Sequence, residues 1–413
     1  MLRNYLLTAW KVFMRRKLFT AINLACIVLT LVVLMVTTAL LETAFFPTGV
    51  EGKSGRFLQV YSIYSESADR GTQRISRLGW KTVERHLKHL PGLERVAALT
   101  GANQVSVYQG DRVSELDMRR VDADYWKVLD FKVLSGRLPT EDDERAGRMV
   151  AVLNETSARR LFGDAAAPGR RISVGGQSFE VIGVVADVLH MNAYADIWAP
   201  LTTFPSTDYR SRETGDFTAL LLAKDAADLP RIRREVARAA LGFVSDDPHR
   251  FAVTRFWGDS KLDVFARELL HNYDQADSGG ARVLALVGAA MLLFMLLPAL
   301  NLVNLNMGRT LERSTEIGVR KAFGATGLQL AGQLVVENVL LCLAGGLLGL
   351  ACTQGVLWLL ERSHVIPYLE VGVNPAVFGC GMLLAFVFGL LSGLVPAWKM
   401  SRLDPVHALK GNA

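Results

Sequence analysis

Three groups of residues have types and spacings that could do chemistry. Glu316 and Arg320 stand four apart, acid before base, within the charged stretch GRTLERSTEIGVRKAFGAT of residues 308–326. That order suits an ion pair on one helix face, and Gly324 is placed to end such a helix in the left-handed conformation. Ile317, Val319 and Phe323 add apolar surface to a segment expected to lie beside the bilayer, and one reading is that it receives force. The plainer account is an ordinary cytoplasmic loop, basic because such loops are basic. His86 and His89, at i and i+3 on one predicted helix, could converge on a metal, but two ligands make no site. Residues 52–54 read GKS, yet Pro47 stands where a phosphate loop needs glycine, and no strand precedes it. With no Walker A loop, Walker B acid, HExxH or GxSxG, the chain carries no set of residues for hydrolysis.

The elements that must hold residues 308–326 are apolar. Of 413 residues, 50% are hydrophobic and 21% charged, and the two kinds are segregated along the chain. Residues 18–41 and 283–308 hold no charge, and each exceeds the roughly 20 residues a helix needs to cross a bilayer. Residues 322–360 hold one charge, Glu337, and 371–398 hold none, giving four spans in all. Twelve bases lie in the N-terminal piece, the loop after the second span and the tail, against Arg362 alone between the third and fourth spans. Both termini are therefore expected in the cytoplasm, and residues 42–282 outside. The net charge of +6 restates this bias, and no aromatic-interleaved basic groove suggests nucleic acid. The first span is too long for a signal peptide and lacks a small-x-small cleavage pattern, so it reads as a retained anchor. Cys26, Cys342, Cys352 and Cys380 all fall in the spans, which leaves the external part without an internal disulfide.

Within the spans, Glu337 is the one acid, and an ionisable residue there is a functional candidate by default; a structural hydrogen bond is the other reading. Pro298 permits a kink, and Gly345, Gly346, Gly349, Gly389 and Gly393 offer small surfaces for close helix packing. Residues 5–17 form an amphipathic approach to the first span. In the external part, strands are expected at 56–64, 96–99, 104–108, 113–121, 217–223 and 251–257. Helices are expected at 80–90, 123–130, 155–162 and 229–241, that at 155–162 capped by Asn154 and ended by Gly163. Residues 171–174 and 179–185 read as a hairpin about Gly175 and Gly176. Residues 261–273 read as an amphipathic stalk with Leu262, Phe265, Leu269 and Leu270 as its apolar side. The mixture suggests an α+β domain, with two lobes as one arrangement.

The run TEIGVRKAFGAT (315–326), then QLVVENVLLCLAGGLLGL (333–350) and GLVPAWKMSRLDPVHALKG (393–411), resembles the permease subunit of MacB/FtsX-type ABC transporters, with the blocks in the family's order. VAVLNETSARRLFG (150–163) and PGRRISVGGQSFEVIGVVADV (168–188) resemble that family's external domain. The expected architecture is a membrane α-helical fold of four transmembrane helices, with a large α+β extracytoplasmic domain inserted between helices 1 and 2. Its parts are a cytoplasmic amphipathic segment (1–17), helix 1 (18–41), a periplasmic MacB-like domain (42–282), helix 2 (283–308), a cytoplasmic coupling segment (309–326), helix 3 (327–360), a short periplasmic loop (361–370), helix 4 (371–398) and a cytoplasmic tail (399–413).

The resemblance makes Glu316, Ile317, Gly318, Arg320, Lys321, Phe323, Gly324 and Ala325 the residues that dock on an ATPase, with Glu337 as the membrane candidate. It implies a multi-pass protein of the inner membrane that binds no cofactor itself. ATP and Mg would sit on a cytoplasmic ABC ATPase dimer. Further partners would be a second permease copy or a paralogous permease, membrane lipids, and a periplasmic adaptor with an outer-membrane channel. The preferred function is a non-catalytic permease subunit driving efflux of a drug, peptide or siderophore-like substrate. The alternatives are force transmission for lipoprotein release or cell-wall hydrolase control, and, from another class, a membrane-anchored receptor or binding module.

Overall fold

A computed structural model describes residues 14, 17–46, 49–109, 112–312, 319, 323, 326–363, 375, 378–383, 386–387 and 390. The chain divides into two compact units, one of residues 43–283 with 367–369 and the other of residues 1–42, 284–366 and 370–413. Helix α1 (Lys17–Phe45) leads into the larger unit. There, β1 (Phe57–Val60), β2 (Ile63–Glu66) and β3 (Gln73–Leu78) precede a single turn, α2 (Trp80–Thr82). Next come β4 (Leu93–Thr100), β5 (Asn103–Gln109), β6 (Arg112–Val121), α3 (Tyr125–Val128), β7 (Val133–Gly136) and α4 (Glu141–Arg145). The second half runs β8 (Val150–Asn154), α5 (Glu155–Phe162), β9 (Arg171–Val174), β10 (Gln177–Val185), β11 (Ile197–Pro200), β12 (Thr214–Gly215), β13 (Phe217–Ala223), α6 (Leu229–Leu241), β14 (Val253–Phe256) and α7 (Lys261–Leu270). Long helices α8 (Gly280–Glu312) and α9 (Gly327–Ser363) follow.

The period of two in a strand explains how the larger unit stacks. All seven residues of β13 are buried, and they alternate between two cores: Leu220 and Leu222 enter one, Phe217, Ala219, Leu221 and Ala223 the other. β4 pairs with β13 along its length and divides the same way, Ala97 and Leu99 against Val96 and Ala98. β8 does likewise at the far side, Val150 and Val152 facing the shared core while Ala151 and Leu153 face a third. A central core, closed by Tyr125, Trp126 and Trp198, thus lies between two strand layers. Ile232, Val236 and Ala240 of α6 cover the outer face of one layer, and Ala158 and Leu161 of α5 cover the other.

Local signals held where the chain closes on itself. The side chain of Asn154 accepts the N–H of Ser157 at 2.8 Å, and α5 ends at Gly163 with φ +65°, a conformation that favours glycine. β9 and β10 pair antiparallel as a hairpin, as their glycine-bearing turn requires. Elsewhere tertiary pairing overrode the pattern. The strand expected at 56–64 breaks after Val60, because β1 must pair with β13 while β2 pairs with β3 and β14. The helix expected at 80–90 keeps one α-turn and then widens into a π-type turn, with the Lys88 N–H donating to the Val83 carbonyl at 3.0 Å. The helix expected at 123–130 is the single turn α3, which sets Tyr125 and Trp126 into the central core.

Asp122, at the end of β6, is 3% exposed and lies 3.5 Å from Lys88 Nζ. Burial pushes its carboxyl up to about 7; Lys88 pulls it down only partly, and Glu144 adds to the rise. The folded chain therefore holds a proton there that the unfolded chain has released between about pH 4 and pH 7, so stability from this group falls as pH rises through that window. Asp122→Asn keeps an acceptor for the Tyr125 N–H and removes the buried charge. We expect it to raise stability by about 1–3 kcal/mol at pH 8 and by nothing below about pH 4, read from thermal unfolding followed by tryptophan fluorescence.

Among the described residues, two helical stretches are long and apolar enough to cross a membrane, Thr20–Phe45 and Val335–Ser363, with a shorter apolar stretch at Gly280–Leu296. The fourth predicted span, 371–398, and the approach segment 5–17 lie largely outside the described residues. α1 and α9 pack through glycine. A Cβ at Gly345 would come within 2.6 Å of Ile27 Cγ2, and one at Gly349 within 3.3 Å of Leu31 Cβ. One turn further along, Thr353 Oγ1 lies 3.7 Å from Met35 Sδ. Ile27, Leu31 and Met35 thus step along α1 as 345, 349 and 353 step along α9, with the backbones brought close by the missing side chains.

Candidate functional site

The residues from which the chain leaves the larger unit toward α1 and α8 are locked together inside it. The backbones of Gln59 and Asp259 exchange hydrogen bonds at 2.8 and 2.9 Å, so the segment after α1 and the segment before α8 are neighbours. Lys261, at the first position of α7, places its ammonium 2.7 Å from the Glu51 carboxylate, and both side chains are buried. The other Glu51 oxygen accepts the Asn192 N–H at 3.0 Å. Two residues before Lys261, Asp259 receives Arg267 Nε at 2.8 Å and Nη2 at 3.2 Å. Burial raises the Asp259 carboxyl even against the pull of Arg267, so desolvation outweighs the pairing at this carboxyl.

Arg267 does more than neutralise Asp259. Its remaining N–H groups donate to the carbonyls of Asn272, Gln275 and Ala276 at 2.7, 2.7 and 3.1 Å, and its plane lies 5.3 Å from the Trp257 ring. One guanidinium therefore organises the loop that leads into α8. Asp263 secures the same loop. Burial alone would raise it, but hydrogen bonds from Ser278 Oγ and from the Ser260 hydroxyl and N–H, with Arg233 beside it, hold its carboxyl at about 2. The Ser260–Asp263 pair is also the capping box of α7, which fixes where that helix begins.

α7 buries a mixed face and not the apolar side read from the sequence. Lys261, Val264, Ala266 and Arg267 are the buried residues, while Phe265 and Leu269 are 45% and 55% exposed. The helix ends at His271 in the left-handed conformation, so it is shorter than the predicted 261–273. Sequence reasoning missed Glu51, Asp259, Lys261 and Arg267 altogether. The one available signal was the spacing 261, 264, 267, which puts both bases on one helix face with Val264. Lys53, from the GKS stretch, pairs with Asp130 at 2.6 Å and donates to the Lys127 carbonyl, which accounts for it structurally. His86 packs against the Phe243 ring, 6.0 Å between centroids, and among the described residues no three His, Cys, Asp or Glu side chains gather as metal ligands would.

In the smaller unit, Glu337 is buried and its Oε1 accepts the Gln333 side-chain N–H at 3.1 Å. It shares a helix face, at four-residue steps, with Leu341, Gly345, Gly349 and Thr353, the face that meets α1. Of the predicted docking residues, Phe323 is described. It stands in a turn, its N–H donates to the Val319 carbonyl at 3.1 Å, and its side chain is 88% exposed. Glu316, Ile317, Gly318, Arg320, Lys321, Gly324 and Ala325 lie outside the described residues. Just after them, Thr326 and Gln329 cap α9 reciprocally: the Thr326 N–H donates to Gln329 Oε1 and the Gln329 N–H to Thr326 Oγ1.

Comparison with known proteins adds to this geometry. Residues 20–239 match the family described as MacB-like periplasmic core domain, and residues 288–405 match the FtsX-like permease C-terminal family. An uncharacterized ABC transporter permease, YknZ of Bacillus subtilis, is 26% identical over 330 residues, 78% of this chain and 77% of that protein. The macrolide export ATP-binding/permease protein MacB of Chromobacterium violaceum is 28% identical over 333 residues; the match covers 78% of this chain but spans about half, 48%, of that relative. The solved periplasmic region of MacB from Actinobacillus actinomycetemcomitans aligns over 55% of this chain and 98% of its own length, at 17% identity and a TM-score of 0.39.

Proposed function

This chain belongs to the MacB/FtsX-type ABC transporter permeases, and on that premise we propose that it is a non-catalytic subunit turning ATP hydrolysis on a partner chain into movement of its extracytoplasmic unit. One observation carries the reading. The segments that join the extracytoplasmic unit to α1 and α8 are bound to each other by the Gln59–Asp259 bridge and the buried Glu51–Lys261 pair, so a tilt of either helix is delivered to one rigid root. Residues 316–325, with Phe323 exposed, receive the push from a cytoplasmic ABC ATPase dimer that holds ATP and Mg. Both termini lie in the cytoplasm of a cell whose inner membrane the chain crosses four times. A second permease copy, or a paralogous one, completes the complex.

Efflux of a drug, peptide or siderophore-like substrate, handed to a periplasmic adaptor and an outer-membrane channel, is the preferred output. A relative named for macrolide export supports it. Force transmission without transport, for lipoprotein release or control of a cell-wall hydrolase, has one observation in its favour: α1 and α9 pack closely through Gly345 and Gly349. A stand-alone receptor would instead purify without an ATPase. Replacing Glu316 or Arg320 by alanine tests the coupling. Each change is expected to lower permease-dependent stimulation of the partner's ATP hydrolysis about tenfold, in the range of a lost interface anchor, while the complex still assembles. Stimulation at the parent level in both variants removes the coupling role.

A further inference from the structure

The outward side of α7 carries Phe265, Leu269 and Leu270 beside the exposed Glu268, and its position says what covers the apolar residues. Lys261 and Arg267 are held inward by Glu51 and Asp259, which leaves Phe265, Leu269 and Leu270 facing out at 45%, 55% and 37% exposure. The Phe265 ring packs on that of Phe45, the last residue of α1, with 5.3 Å between centroids. Phe46, next in the chain, is 58% exposed. The uncharged run of α1 ends at Leu41, and four further residues at a rise of about 1.5 Å put Phe45 roughly 6 Å beyond the hydrocarbon edge. That is within the headgroup layer, which is about 5–8 Å deep on each side of a bilayer. A ring touching Phe45 lies at the same level.

We propose that α7 is an interfacial helix, with Phe46, Phe265, Leu269 and Leu270 seated among phospholipid chains at the headgroup boundary of the outer leaflet. The physical reason is the inverted polarity of the helix: its cations are consumed by buried partners, so the apolar residues of the outward face have only lipid to cover them at this depth. Aromatic and leucine side chains suit that layer, where one end of a ring is apolar and the other wet. Because Arg267 also organises the loop entering α8, lipid bound on one side of α7 would bear on the root of the membrane helix from the other. This inference rests on α1 crossing the bilayer, and not on the coupling role of residues 316–325.

The test uses the full chain with its cysteines replaced, carrying a bimane at Leu269→Cys, Leu29→Cys or Tyr108→Cys, in vesicles of phosphatidylethanolamine and phosphatidylglycerol. Leu29 is an exposed residue of α1 and Tyr108 an exposed residue of β5. Lipid brominated at the acyl carbons nearest the headgroup is expected to quench the Leu269 label about twofold and to leave the Tyr108 label unchanged. Tail-brominated lipid should quench the Leu29 label. Quenching at 29 without quenching at 269 overturns the placement of α7 while sparing the span; no quenching at either overturns both. Ready disulfide formation between Leu269→Cys residues of two copies also overturns it, since a second copy would then cover the face.

Discussion

Arg267→Met is expected to destabilise the extracytoplasmic unit by about 3–5 kcal/mol, the cost of leaving a buried charge without its partner. Methionine fills much of the same space, so the loss comes from unmade polar contacts and not from a cavity. Asp259 would keep its place in the backbone bridge to Gln59 but lose both bonds from the guanidinium. The carbonyls of Asn272, Gln275 and Ala276 would lose the donor that gathers them, so the loop before α8 should open first. Thermal unfolding of the purified full chain in detergent gives the size of the effect. Limited proteolysis, with new cleavage confined to residues 271–279, gives its place. A variant that melts with the parent and resists protease in that loop would mean that Arg267 does not hold the root together.

How much of this was legible in the sequence depends on how far apart the interacting residues lie. α5 could be read in full, because Asn154 and Gly163 act on their own neighbours. The β9–β10 hairpin and strand β13 were legible for the same reason, the first from its glycines and the second from seven consecutive β-compatible residues. The root was not. Glu51 and Lys261 are separated by most of the extracytoplasmic unit, and nothing local marks either as buried; each becomes so only when β1 joins β13 and the chain returns beside Gln59. The amphipathic pattern of α7 was legible, but not which side is buried, because that is decided by the pairing of Lys261 with Glu51 and of Arg267 with Asp259. The glycines of α9 were visible as small surfaces, but that Gly345 and Gly349 meet Ile27 and Leu31 is a tertiary fact. The role assigned to residues 316–325 came from resemblance, since an ion-pair spacing alone fits any basic loop.

The second large effect belongs to the mechanism itself. If both joining segments form one root, the extracytoplasmic unit cannot stay still while the membrane helices tilt. A displacement on the order of 5 Å, comparable to one helical turn, is expected between the two copies when the ATPase closes. Spin labels at Tyr108→Cys on both permease copies, in a cysteine-free background and in complex with the partner ATPase, would report it as a change of distance. The account predicts distinct distance distributions in the nucleotide-free and ATP-trapped complexes. Identical distributions in a complex that hydrolyses ATP would contradict it.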